Sequence, residues 1–112
     1  MTESVIDKLV FNEIAELMGD SMGEFIETYL GNSPKLIEGI GIALPTGDTE
    51  TVIHNAHQLK GGSGSIGAMH VFQYAKRLEE DGKNGQLENL SGVFTELKSA
   101  YKQAETELRT HL

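Results

Sequence analysis

His57, Lys60 and Gly61 stand at relative positions i, i+3 and i+4, which gathers them on one face if this stretch is helical. An imidazole changes protonation near neutral pH, and while neutral it is a nucleophile. A lysine one turn away supplies charge for an anion formed on that ring. Gly61 adds no side chain beside either group, so another molecule can come close. Gly62 follows directly. A glycine inside a helix costs about 1 kcal/mol relative to alanine, so two in succession call for a reason, and close approach of a partner is one. Taken singly, His57 would be an ordinary exposed helix histidine; the cluster is what argues for chemistry.

The charge distribution supports an anionic ligand or partner at this place. The chain has 112 residues, 17 of them acidic, and a formal net charge of −8. Yet no acid lies between Glu50 and Glu79, a window that contains Lys60, Lys76, Arg77 and the histidines His54, His57 and His70. A locally electropositive face on an acidic protein suits an anionic group or an acidic partner surface. The acidic total argues against nucleic acid, whose binding rests on neutralising phosphates with basic groups. Cysteine is absent, which excludes disulfides, thiol chemistry and cysteine-rich zinc sites. There is no apolar run of bilayer length and no leader-like start, so a soluble cytoplasmic protein without membrane association is expected.

Two other motifs fail on context. Gly62-Ser63-Gly64-Ser65-Ile66-Gly67 matches Gly-x-Gly-x-x-Gly literally, but a dinucleotide site needs that string directly after a buried parallel strand. Here a helical segment precedes it. Glu50, His54 and His57 lie a turn apart, with His70 further on, but metal-holding bundles use paired Glu-x-x-His motifs projecting inward, and the chain has none. No metal or cofactor of its own is therefore expected.

The elements that must position these residues are helical throughout. Ile6, Val10, Ile14 and Leu17 form a first short stripe closing at Gly19, and Met22, Ile26, Tyr29, Leu30, Leu36, Ile37, Ile40 and Leu44 form a second. Pro34 either kinks that second helix or ends it, with Ser33 capping a new one. Pro45-Thr46-Gly47 predicts a turn and Asp48 an N-cap. In the next helix Val52, Ala56, Leu59 and Ser63 make the inner stripe. His57 falls outside it, with Ile53, His54, Lys60 and Gly61. Gly61 to Ser65 predicts the helix end; a further helix from near Ile66 carries Ala68, Val71, Ala75 and Leu78, and Gly82 to Gly85 predicts a turn. The last stripe runs Leu87, Leu90, Phe94, Leu97, Tyr101, Ala104 and Leu108, in the alternating steps of a bundle seam. The expected architecture is all-α: one domain over residues 1–112, an up-and-down antiparallel four-helix bundle with a short additional N-terminal helix.

The pattern His-x-Leu-Lys-Gly-x-Ser-x-x-x-Gly-Ala, from His57 to Ala68, with Leu78-Glu79 beyond it, resembles the signature of histidine-containing phosphotransfer (HPt) domains of two-component phosphorelays. The resemblance favours one long kinked helix across Pro34. It implies that His57 takes a phosphoryl group from an aspartyl phosphate on a response-regulator receiver domain and passes it to another receiver aspartate. A hybrid histidine kinase would stand upstream. Lys60 would offset the phosphoryl charge, Gly61 would give the partner clearance, and Ser63 would keep the packing below the site tight. Mg²⁺ is expected on the receiver, and the protein is expected to be a monomer that is no enzyme by itself. Where several family members carry a glutamine, this chain has Glu79, which could hold the ring tautomer or oppose the phosphoryl charge. Ile53 and His54, with Phe72 and Lys76 on the next helix, are the expected receiver contacts. The rival expectation is a non-phosphorylated helical adaptor docking through the face around Ile53.

Overall fold

The computed structural model describes residues 5–112 and contains five α-helices: α1 Lys8–Met18, α2 Met22–Thr46, α3 Thr49–Ile66, α4 Met69–Lys83 and α5 Leu90–Arg109. No strand occurs among the described residues. Helices α2 to α5 form the four-helix bundle, and α1 lies against α2 and α3. The core is the sum of their apolar stripes, with Ile26, Ile40, Leu59, Ile66, Leu78, Leu90, Leu97 and Leu108 almost wholly removed from water. No described helix is long and apolar enough to cross a membrane.

Helix starts follow local chemistry. The Asp7 carboxylate accepts from the backbone N–H groups of Leu9 and Val10, and Asp48 accepts from that of Thr51. Gly47 and Gly67 end α2 and α3 with φ of 73° and 89°, in the left-handed region that glycine enters at no steric cost. At Gly67 the backbone is also crowded: an added Cβ would lie 3.0 Å from the Asp7 carbonyl oxygen, so this residue is where α1 docks on the bundle.

Helix α2 runs unbroken through Pro34. Proline lacks an N–H, which leaves the carbonyl four residues earlier without its helical donor. That carbonyl belongs to Leu30, and the Tyr101 hydroxyl on α5 donates to it in a long bond of 3.5 Å. Tertiary packing thus repairs the defect and makes one helix of two candidate segments.

Several expected boundaries move for the same reason. Gly61 to Ser65 does not end α3, which continues to Ile66, because Leu59, Ser63 and Ile66 are all buried and carry the inner stripe straight through the glycines. Helix α4 accordingly starts at Met69, not Ile66, and retains Gly82 and Lys83 in its last turn. Pro45 and Thr46 belong to α2, and Leu87 precedes α5 as a partly buried loop residue. Of the first expected stripe, Ile6 is buried and Ile14 packs against the core, but Leu17 is exposed; Phe11 is buried instead, against the His111 ring at 4.5 Å.

Candidate functional site

The inner stripe of α3 decides where His57 points. Val52, Ala56, Leu59 and Ser63 face the core, and Ser63 is fixed there by a 2.8 Å hydrogen bond to the Tyr29 hydroxyl of α2. His57 is left on the outer flank, next to α4, with 65% of its side chain exposed.

Across the α3–α4 seam stands Glu79, whose side chain is only 5% exposed. Its Oε2 lies 2.8 Å from His57 Nδ1 and 3.3 Å from Lys83 Nζ, and its Oε1 lies 2.7 Å from Lys60 Nζ. The 2.7 Å contact makes Lys60 the nearest of the three cationic or donor groups to the carboxylate. Burial by itself pushes the Glu79 carboxyl up, but Lys60, His57 and Lys83 outweigh it and hold the group down at about 2. Glu79 is therefore ionised at any cellular pH, and an ionised carboxylate only accepts. His57 must then carry its proton on Nδ1, which leaves the Nε2 lone pair free. Lys60 is the more enclosed of the two cations, with 27% of its side chain exposed against 60% for Lys83.

An acid titration checks this network. A folded-state pKa depressed below the ordinary carboxylate value gives stability that is complete above the unfolded pKa and is lost as pH falls through the folded one. For Glu79 that window runs from 4.5 down to about 2. Unfolding free energies by denaturant, measured across this range, should fall more steeply for the wild type than for Glu79→Gln. Parallel curves would mean the carboxylate is not held by its three partners.

The remaining expected residues are placed around this centre. Ile53, His54 and His57 share a shallow depression with Glu50, Glu79 and Lys83. Ile53 is half-buried because Gly82 of α4 lets it in; an added Cβ on Gly82 would come 2.9 Å from it. Phe72 is half-buried against Gly64 in the same manner, at 3.1 Å. His54 is exposed, its Nε2 2.9 Å from Gln58 Nε2. Lys76 is exposed on α4 and takes no part in the ion pairs around Glu79. An added Cβ on Gly61 would meet nothing within 4 Å, so the surface beside His57 is open there. On its other side Gly61 borders a groove of about 510 Å³ between α2 and α3, floored by Tyr29 and Leu59 and flanked by Phe25 and Leu36.

Lys83 is the site residue that sequence reasoning missed. Its signal was present: it follows Glu79 by four residues, the spacing of a helical ion pair. The predicted turn from Gly82 to Gly85 removed it from the helix and so from view. Among the described residues no grouping of histidine and acidic side chains could hold a metal ion.

Comparisons with known proteins bear on the family and the fold. A family model described as the Hpt domain matches residues 24–107, from within α2 to near the end of α5. A curated relative, histidine-containing phosphotransfer protein 4 of Arabidopsis thaliana, is 32% identical over 104 residues, spanning 88% of this chain and 82% of that protein. Two crystal structures share the fold. Histidine-containing phosphotransfer protein B of Pseudomonas aeruginosa superposes with a TM-score of 0.93 at 24% identity, covering 98% of this chain and 96% of that one. The maize histidine-containing phosphotransfer protein ZmHP2 does so with a TM-score of 0.84 at 18% identity, covering 96% and 82%.

Proposed function

The chain belongs to the Hpt family of phosphorelay phosphotransfer proteins, and from that premise we propose that His57 is its phosphoryl carrier, charged and discharged by receiver-domain aspartates. One observation carries the assignment: the buried, ionised Glu79 accepts from His57 Nδ1 at 2.8 Å and leaves an exposed Nε2 with its lone pair. Nε2 attacks the phosphorus of an aspartyl phosphate, the N–P bond forms, and the P–O bond breaks with its electron pair staying on the aspartate. Return to a second aspartate reverses these steps. Such transfer depends on positioning and charge neutralisation more than on covalent machinery. Mg²⁺ and the acidic pocket belong to the receiver, and a hybrid histidine kinase is the upstream source. The protein acts as a monomeric shuttle in the cytoplasm.

The receiver docks over His57. Its contacts would be Ile53 and His54 in the depression beside His57 and Phe72 and Lys76 further along the α3–α4 seam, with the groove beyond Gly61 extending the surface toward α2. Incubation with a phosphorylated receiver and Mg²⁺ tests the reading: acid-labile, base-stable phosphate should appear on this protein. Stable binding of the receiver without phosphate would instead favour the adaptor role through the face around Ile53.

Lys60 and Lys83 together offset the phosphoryl charge, although both also serve Glu79. Lys60→Ala should slow transfer by roughly ten- to a hundredfold, the scale of losing one charge-stabilising group with a second still present. Affinity for the unphosphorylated receiver should change far less. Equal stopped-flow transfer rates for variant and wild type would reduce Lys60 to a partner of Glu79 alone.

A further inference from the structure

Glu79 has a consequence for the phosphorylated state as well as for the free ring. We propose that it keeps the Nδ1 proton on the His57 ring after phosphorylation, so that the carrier form is a cationic phosphoimidazolium with a labile N–P bond. The proposal rests on His57 being the carrier.

The attack itself moves no proton. Nε2 enters with its lone pair and Nδ1 already carries hydrogen, so the ring gains one positive charge as the N–P bond forms. In water such a ring releases its Nδ1 proton as pH rises. Here that proton points at Glu79 Oε2, 2.8 Å away on a carboxylate almost closed to solvent. An opposite charge at hydrogen-bond distance favours the protonated, cationic form of the ring over the neutral one.

The other charged and titratable groups facing the ring are Glu50, His54 and Lys60 from α3 and Lys83 from α4. Glu50 acts in the same direction as Glu79. The two lysines oppose retention, but Lys60 sits on Oε1, the oxygen turned away from Nδ1. Lys83, the more exposed, can swing to the phosphoryl oxygens that appear on Nε2.

Retention changes the leaving group. When the N–P bond of a protonated ring breaks, the electron pair returns to Nε2 and a neutral imidazole departs; an unprotonated ring would have to leave as imidazolate. The Glu79 carboxylate thereby acts as a positioning residue that keeps the phosphoryl group easily passed on, at the expense of a shorter lifetime in water. A glutamine there could hydrogen-bond Nδ1 but would not stabilise the added charge.

The test loads the full protein, labelled with ¹⁵N in its histidine rings, using potassium phosphoramidate, a small donor that needs no receiver. NMR then follows the Nδ1 resonance of phosphorylated His57 against pH. The reference is a phosphorylated peptide with the sequence of residues 54–60. Retention predicts that Nδ1 in the protein stays protonated to a pH at least about one unit above the peptide. It also predicts that phosphate loss at pH 8 is about tenfold faster in the wild type than in Glu79→Gln, since one unit of pKa is a factor of ten in protonated fraction. Phosphorylated His57 that titrates with the peptide overturns the proposal and leaves the carrier assignment standing. Failure to find phosphate on His57 overturns both. The peptide comparison decides the matter even if Glu79→Gln does not fold.

Discussion

Replacing His57 with glutamine should abolish phosphate uptake from a receiver while leaving the fold unchanged. The ring is largely exposed and, among the described residues, makes one side-chain hydrogen bond, to Glu79, to which a glutamine amide can also donate. Lys60 and Lys83 remain to compensate the buried carboxylate. A change at such a surface position typically alters stability by no more than about 0.5 kcal/mol. The chemistry has no substitute, since a carboxamide nitrogen is not a nucleophile. His54 is one turn away and exposed, but among the described residues no carboxylate hydrogen-bonds its ring, and its Nε2 is engaged with Gln58. Intact-mass spectrometry under alkaline conditions should find no added phosphate on the variant, beside an unchanged denaturation curve. Phosphate retained on the variant would transfer the carrier role to His54 and break the assignment.

How much of this was legible in the sequence depended on the distance over which each relationship acts. His57, Lys60 and Gly61 are joined by helical spacing alone, and the buried stripe of α3 sets which way they face. The bundle followed likewise from apolar periodicity in five segments. Glu79 is legible only through family resemblance, because its contact with His57 spans 22 positions and depends on the register of α3 against α4. That register is set by small residues, Gly64 receiving Phe72 and Gly82 receiving Ile53, and glycines in a sequence look the same whether they loosen a turn or admit a neighbour. The same ambiguity hid Lys83 and placed the end of α3 too early. Local propensity marked Gly61 to Ser65 as a stop, but the buried contacts of Ser63 and Ile66 outweigh it. Leu17 misled for a related reason: a short helix lying against the bundle through α2 and α3 buries Phe11, and its own periodicity cannot say which flank that will be.

Gly61→Gln separates the two explanations of an exposed glycine, because they predict opposite outcomes. If Gly61 is incidental, the substitution improves helix propensity at an exposed position and raises stability by somewhat under about 1 kcal/mol. The structure permits that gain, since nothing lies within 4 Å of an added Cβ. No other effect would follow. On the clearance reading, the openness around Gly61 is the path by which the receiver's active-site loop reaches His57, one turn of α3 away. A glutamine there projects into that path and holds the aspartate off the line of attack on Nε2. Misplacing reacting groups by about 1 Å can lower a rate a hundredfold. The expected variant therefore melts at the same or a higher temperature yet exchanges phosphate with its receiver about a hundredfold more slowly, with His57, Lys60 and Glu79 all in place. Phosphoramidate needs no such clearance, so its reaction with the variant should be nearly normal. That contrast distinguishes obstruction of the partner from damage to the site: slow reaction with both donors would point to a disturbed His57, and normal rates with both would show that the bare backbone at position 61 serves no docking purpose.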